Sequence, residues 1–397
     1  MRNIFVIVFL IFSINFQVFS QHLPLSKPEK AGISSSHLNQ VKTIISKAIS
    51  DEDIPGAVLL VMRKGQIVFR EAFGNCQLVP VSRSMNVDMI FDLASITKPV
   101  ATATSIMILV EQGEIRLWDK VKLFIPGFSV YEDSTGKKGK DARLWHLLTH
   151  TSGLPPYTNA KKVEKKYGLT CPPDSLMRYI ARLPKISPPG NEFHYSCLGF
   201  ITLANIIKKV TGQTLAEFSA EHIFKPLGMN ETFFTPQKTQ HNRCVPTEVI
   251  NGKPLIGVVH DPLARLQGGI SGNAGLFSNA DDLSIFAQMM LQKGKFKKNR
   301  ILSHLTVERM TVVFPNVPFA GRGLGWDLNS AYSTNGGDLF GPNSYGHSGY
   351  TGTSIWIDPD TETAVIFLTN RVHPDDKGAV VSLRSKVANI VASAIMK

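Results

Sequence analysis

The sequence predicts an α/β fold, α+β by some schemes: an antiparallel sheet flanked by helices, with a mostly helical region inserted at about 106–286. Two observations predict it. Paired β-rich runs joined by turn sequences lie near both ends of the chain, so the two ends can build one sheet layer. Between them the apolar residues recur at helical spacing, with long Pro/Gly/Ser connections.

In chain order, Met1 and Arg2 precede a wholly apolar run from Ile4 to Phe12, and small residues follow at Val18-Phe19-Ser20. This is the pattern of a secretory signal peptide, here 1–20, leaving 21–397 as one domain. Asn15 and Gln17 keep the apolar run below the roughly 20 residues a membrane span needs, so export to a periplasm or outside the cell is expected rather than anchoring.

Ser34 to Ile49 reads as an N-capped helix with Leu38, Val41, Ile44, Ile45, Ala48 and Ile49 on one side. Ala57 to Met62 and Gln66 to Phe73, joined through Arg63-Lys64-Gly65, form a hairpin pattern. Thr353 to Ile357 and Thr363 to Thr369 flank Asp358-Pro359-Asp360-Thr361 in the same way, and a last amphipathic helix is expected over Gly378 to Met396. Asp174 to Leu183, Gly199 to Thr211 and Ala280 to Leu291 are helical segments of the middle. A cleft between the two regions is the natural place for a site.

The chain has 397 residues, 43% apolar and 19% charged, which suits a large globular core. Cys76, Cys171, Cys197 and Cys244 show no C-x-x-C spacing, so neither a zinc ribbon nor a dense disulfide framework is indicated; one or two disulfides after export stay open. The formal charge of +12 is carried partly in lysine clusters such as Lys137-Lys138-Gly139-Lys140 and Lys293 to Arg300. Such runs are ordinarily solvated loop faces, and in an exported protein they also suit contact with an anionic cell envelope. Nucleic acid is excluded by the leader and by the lack of any reader motif. Nothing in the sequence indicates an oligomeric state.

The chemistry concentrates in Phe91 to Gly113, where Val100, Ala103, Ile106, Met107 and Val110 predict a buried helix that starts at Ser95. Residues i and i+3 share a face, so Lys98 can bring its amine to the Ser95 hydroxyl, and burial is expected to lower the amine's pKa enough for it to take the serine proton. His146 and His150 stand at i and i+4, but Leu147 occupies the place of a metalloprotease glutamate, so no metal is expected. Gly346-His347-Ser348-Gly349-Tyr350 imitates a nucleophile elbow, yet a strand pattern follows it where a helix is required. It reads better as an edge strand that shows backbone N–H groups and an imidazole to a cleft. Tyr195-Ser196-Cys197 precedes a helix, and Cys197 has no marked histidine partner as a nucleophile. Gly268 to Ser278 is glycine-rich without a P-loop lysine, and suits a cleft wall approached closely by backbone.

With Ser95-Ile96-Thr97-Lys98, Leu147 to Pro155, Tyr195-Ser196-Cys197, the Gly268 to Ser278 loop and His347-Ser348-Gly349 in this order, the chain resembles the serine β-lactamase and penicillin-binding-protein superfamily from about Ile33 onward. It is most similar to the class C-like branch with its esterases and DD-peptidases. Pro246-Thr247-Glu248, Val259-His260-Asp261 and Ala274 to Ser278 look like a subgroup that includes amidases acting on muropeptides. The resemblance implies a β-lactamase/transpeptidase-like fold and no cofactor. It also implies acylation of Ser95, with Lys98 and Tyr195 as a coupled pair that moves protons. The backbone N–H groups of Ser95 and Tyr350 would form the oxyanion hole, and Ser348, Gly349 and Cys197 would meet substrate. Cys197 replaces the asparagine of Y-x-N, and His347 replaces the lysine of K-T-G, so recognition of a free carboxylate is expected to be weaker. This favours an ester or a peptidoglycan-derived amide as substrate, ahead of a β-lactam; the other reading is a non-catalytic ligand-binding protein of the same fold.

Overall fold

The structure is a computed structural model that describes residues 22–168 and 170–396. The expected leader at 1–20 lies outside the described residues. Six strands, β1 (Gly56–Arg63), β2 (Gln66–Gln77), β3 (Arg83–Ser84), β4 (Tyr345–Ser348), β5 (Ser354–Asp358) and β6 (Thr363–Thr369), form one antiparallel sheet in the order β4-β5-β6-β1-β2-β3. The helices that frame the site are α1 (Gln40–Ser50), α2 (Thr104–Glu111), α3 (Cys197–Thr211), α4 (Ala280–Leu291) and α5 (Val381–Ser393).

The two ends of the chain meet at the sheet centre, where β1 pairs with β6 from Ala57 opposite Thr369 to Arg63 opposite Thr363. Arg63 also pairs with Gln66, so the β1–β2 loop is two residues, Lys64 and Gly65, both at positive φ (49° and 73°). That is the turn whose twist matches antiparallel strands, and it needs a glycine or another residue tolerant of the left-handed region. Ser34 caps a short turn, Ser35–Leu38, and Asn39 separates it from α1, so the expected first helix is made in two pieces.

Side-chain alternation divides the sheet's surroundings. Ala57, Leu59, Val61, Val365 and Phe367 face Val41 and Ile45 of α1 and Val387 and Val391 of α5. Val58, Leu60, Met62, Ile366 and Leu368 face the opposite way, into the large core that holds Leu283, Phe286 and Met290 of α4. The region between Ile106 and α4 is mostly helical. Its centre is α3, with Leu198, Phe200, Ile201, Leu203, Ile206 and Ile207 buried. A small three-stranded sheet of Phe91–Asp92, Leu276–Ser278 and Phe233–Phe234 has Leu276–Ser278 in the middle and fixes the approach to Ser95. All four cysteines are free thiols. Among the described residues no helix is long and apolar enough to cross a membrane.

Phe367 is 1% exposed at the sheet centre. Truncation there leaves a cavity between sheet and terminal helices, so Phe367→Ala should cost about 3–5 kcal/mol, read as a lower urea midpoint at unchanged slope. A midpoint within error of the parent would contradict this packing.

Candidate active site

The strand Phe91–Asp92 runs into a single tight turn, Ala94–Ile96, that carries Ser95. Ala94 sits at φ 47°, a conformation that L-residues other than glycine seldom adopt. Asp92 holds it there: one carboxylate oxygen accepts the Ala94 N–H at 2.9 Å and the other accepts the His260 N–H at 2.7 Å. Burial pushes this carboxyl's pKa up, against the pull of the two N–H bonds. The helix expected from Ser95 is not uniform. A π-helical turn spans Lys98–Ala103 before α2 begins. Pro99 has no N–H to continue a regular ladder, and Thr104 Oγ1 donates to the Pro99 carbonyl at 2.8 Å, five residues back.

Lys98 is fully buried, and its Nζ donates to Ser95 Oγ at 2.8 Å and to the Asn273 carbonyl at 3.0 Å. The amine also lies 5.0 Å from the centre of the Tyr195 ring. Its pKa corrects the sequence expectation. Burial opposes the ammonium, as expected, but the anionic forms of Cys197 and Tyr195 favour it more, and the pKa is raised. The proton affinity of the amine is therefore set by its neighbours as well as by its burial. Burial pushes the Cys197 thiol up, against Lys98 and the Asn273 side chain, which favour the thiolate.

Tyr195 is positioned by the Leu147 to Pro155 stretch. Its ring stacks on His150 at 4.3 Å, the Ser196 N–H donates to His150 Nδ1 at 3.0 Å, and Ser196 Oγ donates to the Pro155 carbonyl at 2.6 Å. His146 Nδ1 likewise accepts the Arg143 N–H at 2.8 Å, so the two histidines spend a ring nitrogen each on backbone. Among the described residues no group of three or more His, Cys, Asp or Glu is arranged to hold a metal ion.

His347 and Ser348 lie on β4, an edge strand, which removes the elbow reading. His347 Nδ1 donates to the Ser348 carbonyl at 2.8 Å, which fixes the tautomer and leaves Nε2 a bare acceptor, buried without a partner. Burial, with Arg322 and Lys98 adding repulsion, holds the His347 pKa well below 6.5. The turn after β4 is clamped. Gly349 N–H donates to the Thr353 carbonyl at 2.7 Å, and Arg384 donates to the Gly349 and Thr353 carbonyls at 2.7 and 2.8 Å. Thr351 and Thr353 hydroxyls donate to the carbonyls of Asp92 and Leu93, at 2.7 and 3.0 Å, tying this turn to the segment before Ser95. Gly349 has no room for a side chain, since a Cβ would lie 2.2 Å from Thr353 Oγ1 and 2.4 Å from the Leu93 carbonyl. Among the described residues neither the Ser95 nor the Tyr350 backbone N–H bonds outside its own turn. The Tyr350 phenol turns outward and donates to Asp376 at 2.6 Å.

Ser95, Tyr195, His347, Ser348, Gly349 and Tyr350 line one cavity of about 610 Å³, and Lys98 lies beneath it. Cys197, expected to meet substrate, opens α3 beside Lys98 and the Asn273 side chain and is partly exposed. A serine held by a buried lysine, with a tyrosine beside them and free backbone donors opposite, is equipped for acyl transfer.

The Beta-lactamase family matches residues 41–388 of the chain. The chain belongs to this family. It is similar to an N-acetylmuramyl-L-alanine amidase of Bacillus subtilis (strain 168), 33% identical over 377 residues, covering 87% of this chain and 83% of the relative. A protein of Escherichia coli (strain K12) with the provisional name D-alanyl-D-alanine carboxypeptidase is 32% identical over 376 residues, covering 88% and 85%. The fold is also that of EstCE1, a hydrolase with promiscuous acyltransferase activity, at a TM-score of 0.73 and 22% identity over 90% of this chain and 99% of that one. The chain is thus a serine hydrolase of the beta-lactamase family.

Four residues of this site escaped sequence reasoning. Asp92 and Arg384 act through backbone groups brought close only by folding, Asn273 contributes its carbonyl, and a carbonyl carries no residue signature. Arg322 is 1% exposed on the cavity wall, and in the sequence it is one arginine among many between glycines.

The neutral histidines give a pH prediction. His150 and His347 are both held well below 6.5, chiefly by burial. In the unfolded chain each takes up a proton near pH 6.5, while the folded protein does so only at lower pH. Below about pH 6.5 the unfolded state binds more protons, so stability falls with pH by up to about 1.4 kcal/mol per unit for each histidine. Urea midpoints should drop between about pH 7 and about pH 5, and less steeply in His347→Gln; equal slopes would contradict a buried neutral imidazole.

Proposed function

We propose that the protein is an exported serine hydrolase that forms an acyl-enzyme on Ser95 and hydrolyses a peptidoglycan-derived amide or ester. The observation that carries this is the 2.8 Å bond from the fully buried Lys98 amine to Ser95 Oγ at the foot of the cavity. Ser95 Oγ attacks the substrate carbonyl as its proton passes to the Lys98–Tyr195 pair, which acts in the form that has already lost one proton. The oxyanion is met by the Ser95 and Tyr350 N–H groups, a contribution of about 3–4 kcal/mol per donor in other hydrolases. The scissile bond breaks as the pair returns the proton to the leaving group. Water then attacks the acyl carbon, gives its proton to the pair, and releases the acid and free Ser95.

The substrate class is supported by the names of the two curated relatives, an amidase and a carboxypeptidase. Export, and contact of the lysine-rich loops with an anionic envelope, are supported by the sequence of 1–20 and by the +12 charge. The intact alignment of Ser95, Lys98 and Tyr195 favours turnover over a purely binding role.

Intact-protein mass after exposure to a fluorophosphonate tests the nucleophile. One adduct is expected on the parent protein and none on Ser95→Ala or Lys98→Ala; an adduct that persists in Ser95→Ala would sink the proposal. Tyr195→Phe, which removes only the proton-carrying oxygen, should lower kcat on a muropeptide or an aryl ester about 10²- to 10⁴-fold. Gly349→Ala should cost about 10²-fold or more in kcat by pushing the Tyr350 N–H away from the oxyanion.

A further inference from the structure

The motif Val259-His260-Asp261 has no part in the proton chemistry above, yet its histidine touches both halves of the oxyanion site. The His260 N–H donates to Asp92 Oδ2 at 2.7 Å, and Asp92 Oδ1 accepts the Ala94 N–H at 2.9 Å. One buried carboxylate thus joins His260 to the residue before Ser95. The His260 ring meets the other half. It lies 5.6 Å from the Tyr350 ring, centre to centre, with 20° between the planes, which is an offset stack.

Both ends of this bridge are held. The Asp261 carboxylate accepts the Ala264 N–H at 2.8 Å and the Tyr157 hydroxyl at 3.1 Å, and Arg265 donates to the Val259 and His260 carbonyls at 3.1 and 2.5 Å. These bonds fix the main chain at His260 without using its side chain. The ring is confined as well: 12% of the side chain is exposed, and Nε2 lies 3.3 Å from Glu248 Oε2. Tyr350 needs such support, because it is 57% exposed. Its phenol donates to Asp376 at 2.6 Å, its carbonyl accepts Arg371 Nε at 2.8 Å, and Arg371 and Asp376 pair with each other at 2.9 Å. Those contacts hold the residue from the 371–376 segment. Thr351 and Thr353 tie the neighbouring backbone to the segment before Ser95, and the His260 ring does the same for the Tyr350 side chain.

We propose that His260 is a positioning residue for the oxyanion hole. Its backbone sets the turn that presents the Ser95 N–H, and its ring sets Tyr350, whose N–H is the second donor. Two donors stabilise developing charge only when both reach one oxygen, and a misplacement of about 1 Å costs about 10²-fold in rate. Resting both on one residue fixes their spacing. The inference rests on the hydrolase reading above, and its tests separate the two.

The kinetic test is kcat and KM for 4-nitrophenyl acetate. His260→Ala should lose about tenfold to a hundredfold in kcat, with KM changed less than about threefold. His260→Phe, which keeps a flat ring for Tyr350, should recover most of that loss; His260→Gln, which keeps hydrogen-bonding groups without a ring, should not. Asp92→Asn, which turns one of the two acceptors into a donor, probes the other half and should lower kcat by a similar factor. Recovery by Gln and not by Phe, a loss confined to KM, or an unchanged kcat in Asp92→Asn overturns the assignment. The second test needs no turnover: urea midpoints of His260→Ala, Tyr350→Ala and the double variant. The double variant should lose less than the two single shifts together, because either change removes the same stack; additive shifts overturn it. A parent protein with neither esterase activity nor a fluorophosphonate adduct would sink the hydrolase reading and this role with it. A reactive parent with a fully active His260→Ala sinks this role alone.

Discussion

A lysine amine with no access to water has to spend its protons on protein, and the placement of Lys98 organises this molecule. One N–H goes to Ser95 Oγ and another to the Asn273 carbonyl, 175 residues away in sequence. Meeting that second demand forces close approach. Thr102 Oγ1 donates to the Gly272 carbonyl at 2.8 Å, and a Cβ on Gly272 would stand 2.0 Å from the Phe200 carbonyl. The glycine-rich loop is therefore glycine-rich because the segment after Ser95, the loop and α3 must touch through their backbones. The three-stranded sheet pairs the end of that loop, Leu276–Ser278, with Phe91–Asp92 just before Ser95.

Charge in the cavity follows from the same burial. Lys98 and Arg322 are cations shielded from water, and both push on His150 and His347, which burial already keeps neutral. The imidazoles consequently work as fixed hydrogen-bonding units: His150 accepts the Ser196 N–H beneath Tyr195, and His347 donates to the Ser348 carbonyl. Neither is free to shuttle protons at neutral pH. The proposed proton transfer therefore falls to Lys98 and Tyr195, which lie together beside Ser95.

Opposite the serine, rigidity has another source. The geometry of the turn after β4 is imposed by Arg384 on the Gly349 and Thr353 carbonyls and by the Thr351 and Thr353 hydroxyls on the carbonyls before Ser95. Donors held this way lose little on meeting a developing negative charge, because they need not reorganise.

The sheet and its end-to-end pairing, the positions of the long helices, and Ser95, Lys98, Tyr195 and His347 were all legible in the sequence. Periodicity reports which face of an element is buried, and short motif spacings report which side chains a single turn brings together. Both are local properties. Tertiary structure alone decided the direction of the Lys98 pKa, the placing of Cys197 beside Lys98, the roles of Asp92, Asn273 and Arg384, and the burial of Arg322 next to Asp327. Each depends on groups far apart in the chain, on backbone atoms common to every residue, or on the removal of water around a charge. Residue identity does not encode those until the chain has closed around them.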